Sequence, residues 1–210
     1  SIAYGNGKFV TVAYDETIAA YSTDGVTWVQ TTLPVKAGWH SIAYGNGKFV
    51  TVAHVETLAA YSTDGITWVQ TTLPPGELWA AVAYGDGKFV AVDQSYGTNA
   101  AYSTDGITWT QTTLPIKDYW AHVAYGDGKF VATDDYNGRA AYSTDGITWK
   151  NTYSVKGILK GDGEGNLLAA EAGVDYLSPA GGTMTGALTI KGDDTQGSIS
   201  ITPRVNNSDK

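Results

Sequence analysis

The nine residues Ala20-Tyr21-Ser22-Thr23-Asp24-Gly25-Val26-Thr27-Trp28 recur three more times, with one variable position between the Gly and the Thr. The serines of the copies are Ser22, Ser62, Ser103 and Ser143, so the copies are 40, 41 and 40 residues apart. A second string, Ala-Tyr-Gly-(Asn or Asp)-Gly-Lys-Phe-Val, recurs in step, with its phenylalanine at Phe9, Phe49, Phe89 and Phe130. A period of this size is typical of solenoids and propellers.

Each unit contains four short apolar and aromatic runs separated by turn sequences. In the second unit these runs are Trp39–Tyr44, Lys48–Ala53, Thr57–Ser62 and Thr67–Thr72. Asn-Gly or Asp-Gly joins the first two runs, and such a pair favours a tight β-hairpin. Four antiparallel strands in about 40 residues form the blade of a β-propeller.

The side-chain pattern favours blades that pack face to face. Both faces of Lys48–Ala53 carry apolar or small residues, and the pair Ala59-Ala60 recurs in every unit, which suits close approach of two sheets. We therefore predict an all-β fold, a β-propeller with four four-stranded antiparallel blades in this chain, followed by a short fibre-shaft segment. The alternative is a linear solenoid of hairpins. Four units could close alone as a four-bladed ring, or form part of a five- to eight-bladed ring completed by further sequence or by a second chain.

The predicted organisation divides the chain at residue 154. The repeats are residues 1–40, 41–80, 81–121 and 122–154, followed by a linker over 155–180 and the start of a shaft over 181–210. Because the chain begins with Ser in mid-pattern, we expect a fragment or a processed product.

Composition excludes several classes of function. The 210 residues include no Cys, so disulfides and thiolate chemistry are excluded. The net charge of −8 argues against nucleic acid and anionic membranes as partners, and no run is long and apolar enough for membrane insertion. We predict no cofactor and no metal site, because His40, His54 and His122 share no common spacing.

The repeated Ser-x-Asp-Gly-x-Thr-Trp string resembles the Asp-box, or BNR repeat, of sialidase-like propellers, with one residue fewer between Asp and Trp. An aspartate in such a turn accepts hydrogen bonds from backbone N–H groups just downstream, and the tryptophan covers the hairpin. We assign a structural role to Asp24, Trp28, Asp64, Trp68, Asp105, Trp109, Asp145 and Trp149. The resemblance implies a triad of arginines in a sialidase, whereas this chain has only Arg139 and Arg204. Sialidase chemistry is therefore excluded for this chain alone, and we predict no enzymatic activity.

Propeller strand order predicts one uniform rim and one variable rim. The Gly-(Asn/Asp)-Gly and Ser-Thr-Asp-Gly turns share one rim, while the links between strands two and three, and between blades, share the other. A rigid scaffold with varied loops on one face is a common binding surface, although unconstrained drift would produce the same variation. The candidate ligand-binding residues are Tyr14, His54, Asp93, Tyr96, Asp118, Tyr119, Asp134, Asp135, Tyr136 and Arg139, with the aspartates as acceptors for sugar hydroxyls. Trp39, Trp79 and Trp120, which are common to three units, are assigned to packing.

The C-terminal segment is similar to bacteriophage tail-fibre proteins. Gly157-Ile158-Leu159-Lys160-Gly161-Asp162-Gly163 resembles a linker beside fibre domains, and the run from Ala180 to Ile190 resembles a recurrent shaft motif. The resemblance implies a homotrimer located on the virion, outside the cell, in contact with other tail proteins. The predicted function is adhesion to a host cell-surface glycan or protein. The alternatives are a structural collar that docks another virion protein, and a polysaccharide depolymerase that uses Asp134 or Asp135.

Overall fold

The computed structural model describes residues 1–152, 159–161 and 167–169. The chain divides into two compact units, Ser1–Ser154 and Val155–Lys210. In the described residues every regular element is a β-strand, and none is a helix that could cross a membrane.

The first unit consists of four blades of antiparallel strands in chain order. Blade 1 contains β1 (Ile2–Gly5), β2 (Lys8–Val12), β3 (Tyr14–Ser22) and the start of β4 (Val29–Gly45). Blade 2 contains the end of β4, β5 (Lys48–Ala53), β6 (Leu58–Ser62) and β7 (Val69–Thr72). Blade 3 contains β8 (Trp79–Gly85), β9 (Lys88–Asp93), β10 (Gly97–Ser103) and β11 (Thr110–Asp118). Blade 4 contains β12 (Trp120–Gly126), β13 (Lys129–Asp134), β14 (Ala140–Ser143) and β15 (Lys150–Asn151).

In the second unit, the described residues form one antiparallel pair, β16 (Leu159–Gly161) and β17 (Leu167–Ala169). The rest of the predicted linker over 155–180, and all of the predicted shaft over 181–210, lie outside the described residues.

The turns between the first two strands of each blade are the tight hairpins that the sequence predicts. Asn46 and Gly47 have φ values of 46° and 73°, and the other three blades repeat this pair of positive angles. Positive φ at both central residues defines the type I′ turn, whose twist matches that of the flanking strands.

The hydrophobic core lies between the blades rather than within them. Between blades 1 and 2, the buried Val10, Val12 and Leu33 pack in one cluster with Trp39 and Phe49. The same positions form the clusters between blades 2 and 3 and between blades 3 and 4. The three interfaces between blades therefore use equivalent residues in the same arrangement. Trp39, Trp79 and Trp120 are 0–1% exposed and are packing residues, as predicted.

The first strand of every blade is the innermost. β1, the end of β4, β8 and β12 contact one another in series. At these contacts a tyrosine ring from one blade lies directly on a glycine of the preceding blade: Tyr44 on Gly5, Tyr84 on Gly45 and Tyr125 on Gly85.

Several predicted loops are strands in the structure. The link Val35–Gly38 is part of the 17-residue β4, and Tyr14-Asp15-Glu16 begins β3, where Tyr14 pairs with Gly38. In the same way Ile116-Lys117-Asp118 ends β11, where Asp118 pairs with Gly97. The link from blade 2 to blade 3 is irregular, since Pro74 and Pro75 remove two consecutive backbone N–H donors.

Candidate functional site

Two opposite rims follow from the strand order. We call the rim with the Gly-(Asn/Asp)-Gly and Ser-Thr-Asp-Gly turns the hairpin rim. The variable rim, at the other ends of the strands, contains residues 14–16, 35–38, 54–56, 75–78, 94–97, 116–119 and 134–139.

On the hairpin rim, the repeated aspartates hold the turns that follow them. Asp24 Oδ1 accepts hydrogen bonds from the N–H groups of Val26 (2.8 Å) and Thr27 (2.7 Å) and from the Ser22 hydroxyl (3.0 Å). These N–H donors, Thr27 first, lower the pKa of Asp24 to about 2. Asp64, Asp105 and Asp145 accept the equivalent bonds. This geometry is that of a structural aspartate, and it places these carboxylates away from the variable rim.

Three tyrosines from neighbouring loops form one exposed aromatic cluster on the variable rim. The ring centroids of Tyr96 and Tyr119 are 5.3 Å apart, and those of Tyr119 and Tyr136 are 5.0 Å apart. The exposed fractions of Tyr96, Tyr119 and Tyr136 are 63%, 39% and 72%. We call these three residues the tyrosine cluster. All three were candidates from the sequence, Tyr96 in blade 3, Tyr136 in blade 4 and Tyr119 in the link between these blades.

A row of polar side chains crosses all four blades beside it. Tyr14, His54, Gln94 and Asp135 each follow the second strand of their blade, so they occupy equivalent positions. His54 Nε2 lies 3.1 Å from Gln94 Oε1, and Gln94 Nε2 donates a hydrogen bond to Asp135 Oδ2. The Tyr14 ring lies 6.4 Å from the His54 ring. We call these four residues the polar row.

Backbone hydrogen bonds fix the polar row to the links between blades. The N–H groups of His54, Gln94 and Asp135 donate to carbonyl oxygens of the adjoining links, at 2.8, 2.7 and 3.3 Å. The acceptors are Gly38, Leu78 and Tyr119. The row is therefore held by the scaffold and presents its side chains in a defined order.

Two further histidines lie against the polar row, His40 beside His54 and His122 beside Asp135. The His40 ring lies 4.9 Å from the His54 ring, and His40 Nδ1 is 2.7 Å from the carbonyl oxygen of Ala80. His122 Nε2 lies 3.1 Å from Asp135 Oδ1. Within the part of the chain that the structure describes, no three His, Asp or Glu side chains are placed to bind a metal ion.

The structure corrects the prediction for three aspartates that were expected to accept sugar hydroxyls. Asp93 and Asp118 are fully buried, and Asp134 is 8% exposed. Asp93 accepts bonds from the N–H groups of Glu77 (2.9 Å) and Ser95 (2.7 Å). These carboxylates hold the shape of the loops, so they are not available to a ligand.

The other two buried aspartates are held in a similar way. Asp118 binds Asn137 Nδ2 at 2.8 Å and forms an ion pair with Arg139 at 3.0 Å. Burial alone would raise the pKa of Asp134, but the N–H groups of Asn137, Arg139 and Tyr136 outweigh it and hold that pKa below its ordinary value. Arg139 is therefore partly engaged in supporting the loop, with 39% of its side chain exposed.

Sequence reasoning missed Gln94, His40 and His122 as members of the site. Gln94 was hidden because the four units place four different residues at its position. Alignment of the repeats at the residue after the second strand would have identified the polar row, since the blades repeat the backbone but not that side chain.

No family model matches the chain, and no curated protein sequence matches it either. Solved structures with a similar fold include virginiamycin B lyase from Staphylococcus aureus, with a TM-score of 0.64, 14% identity, and coverage of 74% of this chain and 55% of that one. A structure of YCF48 bound to D1 peptide has a TM-score of 0.56, 16% identity, and coverage of 71% and 53%. A nidogen/laminin complex has a TM-score of 0.59, 12% identity, and coverage of 72% and 61%.

These similarities and the four stacked blades define the fold as a β-propeller. The chain spans about half the length of the lyase structures that it matches. At such low identity the comparison concerns the fold alone.

Proposed function

We propose that this propeller is a receptor-binding module of a bacteriophage tail fibre, and that its variable rim binds a glycan on the surface of the bacterial host. The observation that carries the proposal is the tyrosine cluster. Three exposed rings from separate loops lie within 5.3 Å of their neighbours on a rigid scaffold. A large aromatic surface left open to water beside polar groups is typical of a binding site.

The chemistry of the rim favours a carbohydrate as the ligand. The apolar face of a sugar ring stacks on an aromatic side chain, while its hydroxyls need donors and acceptors. The polar row supplies both, because the Gln94 amide and the histidine rings donate and accept, and the Asp135 carboxylate accepts. Asp135 has 34% of its side chain exposed and remains accessible, in contrast to Asp134.

The tail-fibre assignment rests on the similarity of residues 157–163 and 180–190 to fibre linkers and shafts. We propose a location on the virion outside the cell and contact with other tail proteins. Several copies of the variable rim on one fibre would turn weak binding at each site into high avidity without any new contact.

Replacement of Tyr136 by Ala tests the proposal. Removal of an exposed stacking ring should weaken glycan binding about tenfold, the equivalent of about 1.4 kcal/mol. The assay is a host-surface glycan array, followed by calorimetry on the glycans that bind. Val69→Ala is the control, because Val69 is 48% exposed and begins β7, directly after a turn of the hairpin rim and away from the variable rim. Absence of binding to every host glycan, or equal losses in both variants, would refute glycan recognition by this cluster.

Docking to another protein is the second candidate. It is favoured by two of the similar structures, which are complexes with a peptide and with laminin. Cross-linking from the variable rim of an assembled virion would separate the two candidates. A rim that is linked to a virion protein supports a collar, whereas a rim that is free on the virion supports host binding.

We propose binding without hydrolysis. A depolymerase would need a general acid whose pKa is raised, and the pKa of Asp134 is lowered by three backbone donors. Asp135 is the remaining candidate of the two. Degradation of host polysaccharide by this protein, abolished in Asp135→Asn, would overturn this part of the proposal.

A further inference from the structure

The three interfaces between blades repeat the same contacts. A Cβ atom built on Gly5, Gly45 or Gly85 would lie about 2 Å from a ring atom of the tyrosine on the next blade. Every such tyrosine thus sits on bare backbone, and only glycine leaves room for it.

Two further contacts accompany the tyrosine at each interface. A threonine hydroxyl in the fourth strand donates to a carbonyl of the next blade: Thr31 to Ile66 at 2.7 Å, Thr71 to Ile107 at 2.5 Å and Thr112 to Ile147 at 2.6 Å. In addition, a valine of the second strand lies within 3 Å of the Cβ position of a turn glycine: Val10 at Gly65, Val50 at Gly106 and Val90 at Gly146. These three valines are completely buried.

Blade 4 presents the first half of this interface without a partner among the described residues. No described atom lies within 4 Å of the Cβ position of Gly126, which is equivalent to Gly85. Val131, equivalent to the buried Val90, is 39% exposed. The Thr152 hydroxyl, equivalent to that of Thr112, bonds to Ala140 of its own blade at 2.7 Å.

Blade 1 presents the complementary half. Tyr4, equivalent to the tyrosines that cover glycines elsewhere, is 61% exposed. Trp28 is 41% exposed, whereas its equivalents Trp68 and Trp149 are 8% and 7% exposed. Gly25 has only Phe9 of its own blade near its Cβ position, while every equivalent glycine also contacts a valine of the preceding blade.

We propose that blade 4 of one copy packs against blade 1 of a second copy, with Tyr4 on Gly126 and Val131 against Gly25. Tyr4 and Gly126 of one chain do not meet, so the four blades do not close on themselves. The interface is heterologous, and two copies joined at both ends form a ring of eight blades, within the range of known propellers. A second copy of this chain is the partner that fits, because the contacts proposed between blade 4 and blade 1 are those that already join neighbouring blades three times within the chain.

Sedimentation of the full chain tests the pairing. The wild type should sediment as a dimer of about 44 kDa, twice the 22.2 kDa of one chain. Gly126→Leu places a side chain where the Tyr4 ring of the second copy would lie, at a Cβ position that has no described atom within 4 Å, and Tyr4→Ala removes the ring. Either variant alone should be a monomer at concentrations where the wild type is a dimer.

A mixture of the two variants provides the decisive result. The Gly126→Leu chain keeps an intact blade 1, and the Tyr4→Ala chain keeps an intact blade 4, so one good interface remains and a mixed dimer should form. Gly97→Leu is the control and should remain a dimer, because its Cβ position has only ordinary contacts at 3.7 Å or more and lies away from both end faces.

The proposal is overturned if the wild type is a monomer at every concentration. It is also overturned if the wild type forms a trimer, or another assembly, whose mass neither variant changes. Formation of dimers by either variant alone would equally refute the contact between Tyr4 and Gly126.

Discussion

Replacement of Gly45 by Ala should destabilise the propeller strongly, while the same change at Gly126 should not. Both glycines end the first strand of a blade and both precede a type I′ hairpin. They differ in what lies above them. A Cβ atom on Gly45 would be 1.9 Å from Cγ of Tyr84, whereas no atom of the described residues lies within 4 Å of the same position on Gly126.

The magnitude follows from the displacement. Carbon atoms in contact are separated by about 3.5–4.0 Å, so the Tyr84 ring would have to move by more than 1 Å. That ring is confined on its other side by Phe89, with centroids 4.8 Å apart. Overpacking of this kind costs about 3 kcal/mol, while Ala in place of a strand glycine stabilises by about 0.5–1 kcal/mol. The gain from Ala is common to both variants and cancels, so the two variants should differ by about 3 kcal/mol in the free energy of unfolding, which is the cost of overpacking.

Thermal and urea unfolding, followed by circular dichroism, measure this difference. For a unit of this size, a difference of about 3 kcal/mol places the unfolding midpoint of Gly45→Ala about 10 °C below that of Gly126→Ala. The measurements are made at dilutions where sedimentation shows a monomer, so that association through blade 4 does not contribute. Equal midpoints for the two variants would refute the seating of tyrosine on glycine as the contact that joins the blades.

Three further predictions concern the aspartates. Asp64→Ala should lower the free energy of unfolding by about 2 kcal/mol, because two backbone N–H donors lose a charged acceptor. Urea unfolding measures this loss, and replacement of the exposed Glu56 by Ala is the control, which should leave the free energy of unfolding unchanged. Arg139→Met should destabilise by about 2 kcal/mol, since Asp118 is completely buried and loses its ion pair; an unchanged urea midpoint would contradict this. The pKa values of Asp24, Asp64 and Asp145 are about 2 in the folded chain, against an ordinary value of 3.8. The stability that these carboxylates supply is therefore present above pH 4 and is lost as the pH falls towards 2. A thermal unfolding midpoint that does not change between pH 4 and pH 2 would contradict this.

The strands and turns could be predicted because their causes are local. Asn46-Gly47 and its equivalents adopt positive φ wherever they occur, and this alone fixes the hairpin and the register of two strands. The apolar residues on both faces of Lys48–Ala53 in the same way predicted sheets buried on both sides. Because the same pattern occurs in four units, the local prediction for one blade applies to all four blades.

The role of the loop aspartates could not be predicted, because it depends on how each loop folds back. Asp93 is followed by polar residues and reads as a surface acceptor, but the N–H group of Glu77, from the preceding link, binds its carboxylate. The spacing of 16 residues between them differs from any turn motif. The same applies to Asp118, whose partners Asn137 and Arg139 belong to the next blade.

Tyr14, His54 and Asp135 were predicted as candidates, but Gln94 and the alignment of the four residues in one row were not, for a different reason. His54, Gln94 and Asp135 are chemically unlike, so comparison of residue types does not reveal that they share a position. The extent of β4 was equally hidden: a single proline at position 34 leaves the strand intact, whereas the pair Pro74-Pro75 interrupts its equivalent.

Because every junction between blades is built from the same contacts, a gene encoding this propeller tolerates changes in the number of its repeats. Loss or duplication of one block of forty or forty-one codons by recombination would leave each remaining glycine facing a tyrosine, with no new side chain to accommodate. The number of blades in the ring can thus change independently of the residues in the loops of the variable rim. A single duplication would enlarge the ring and leave the existing loops, and the ligand they bind, unchanged.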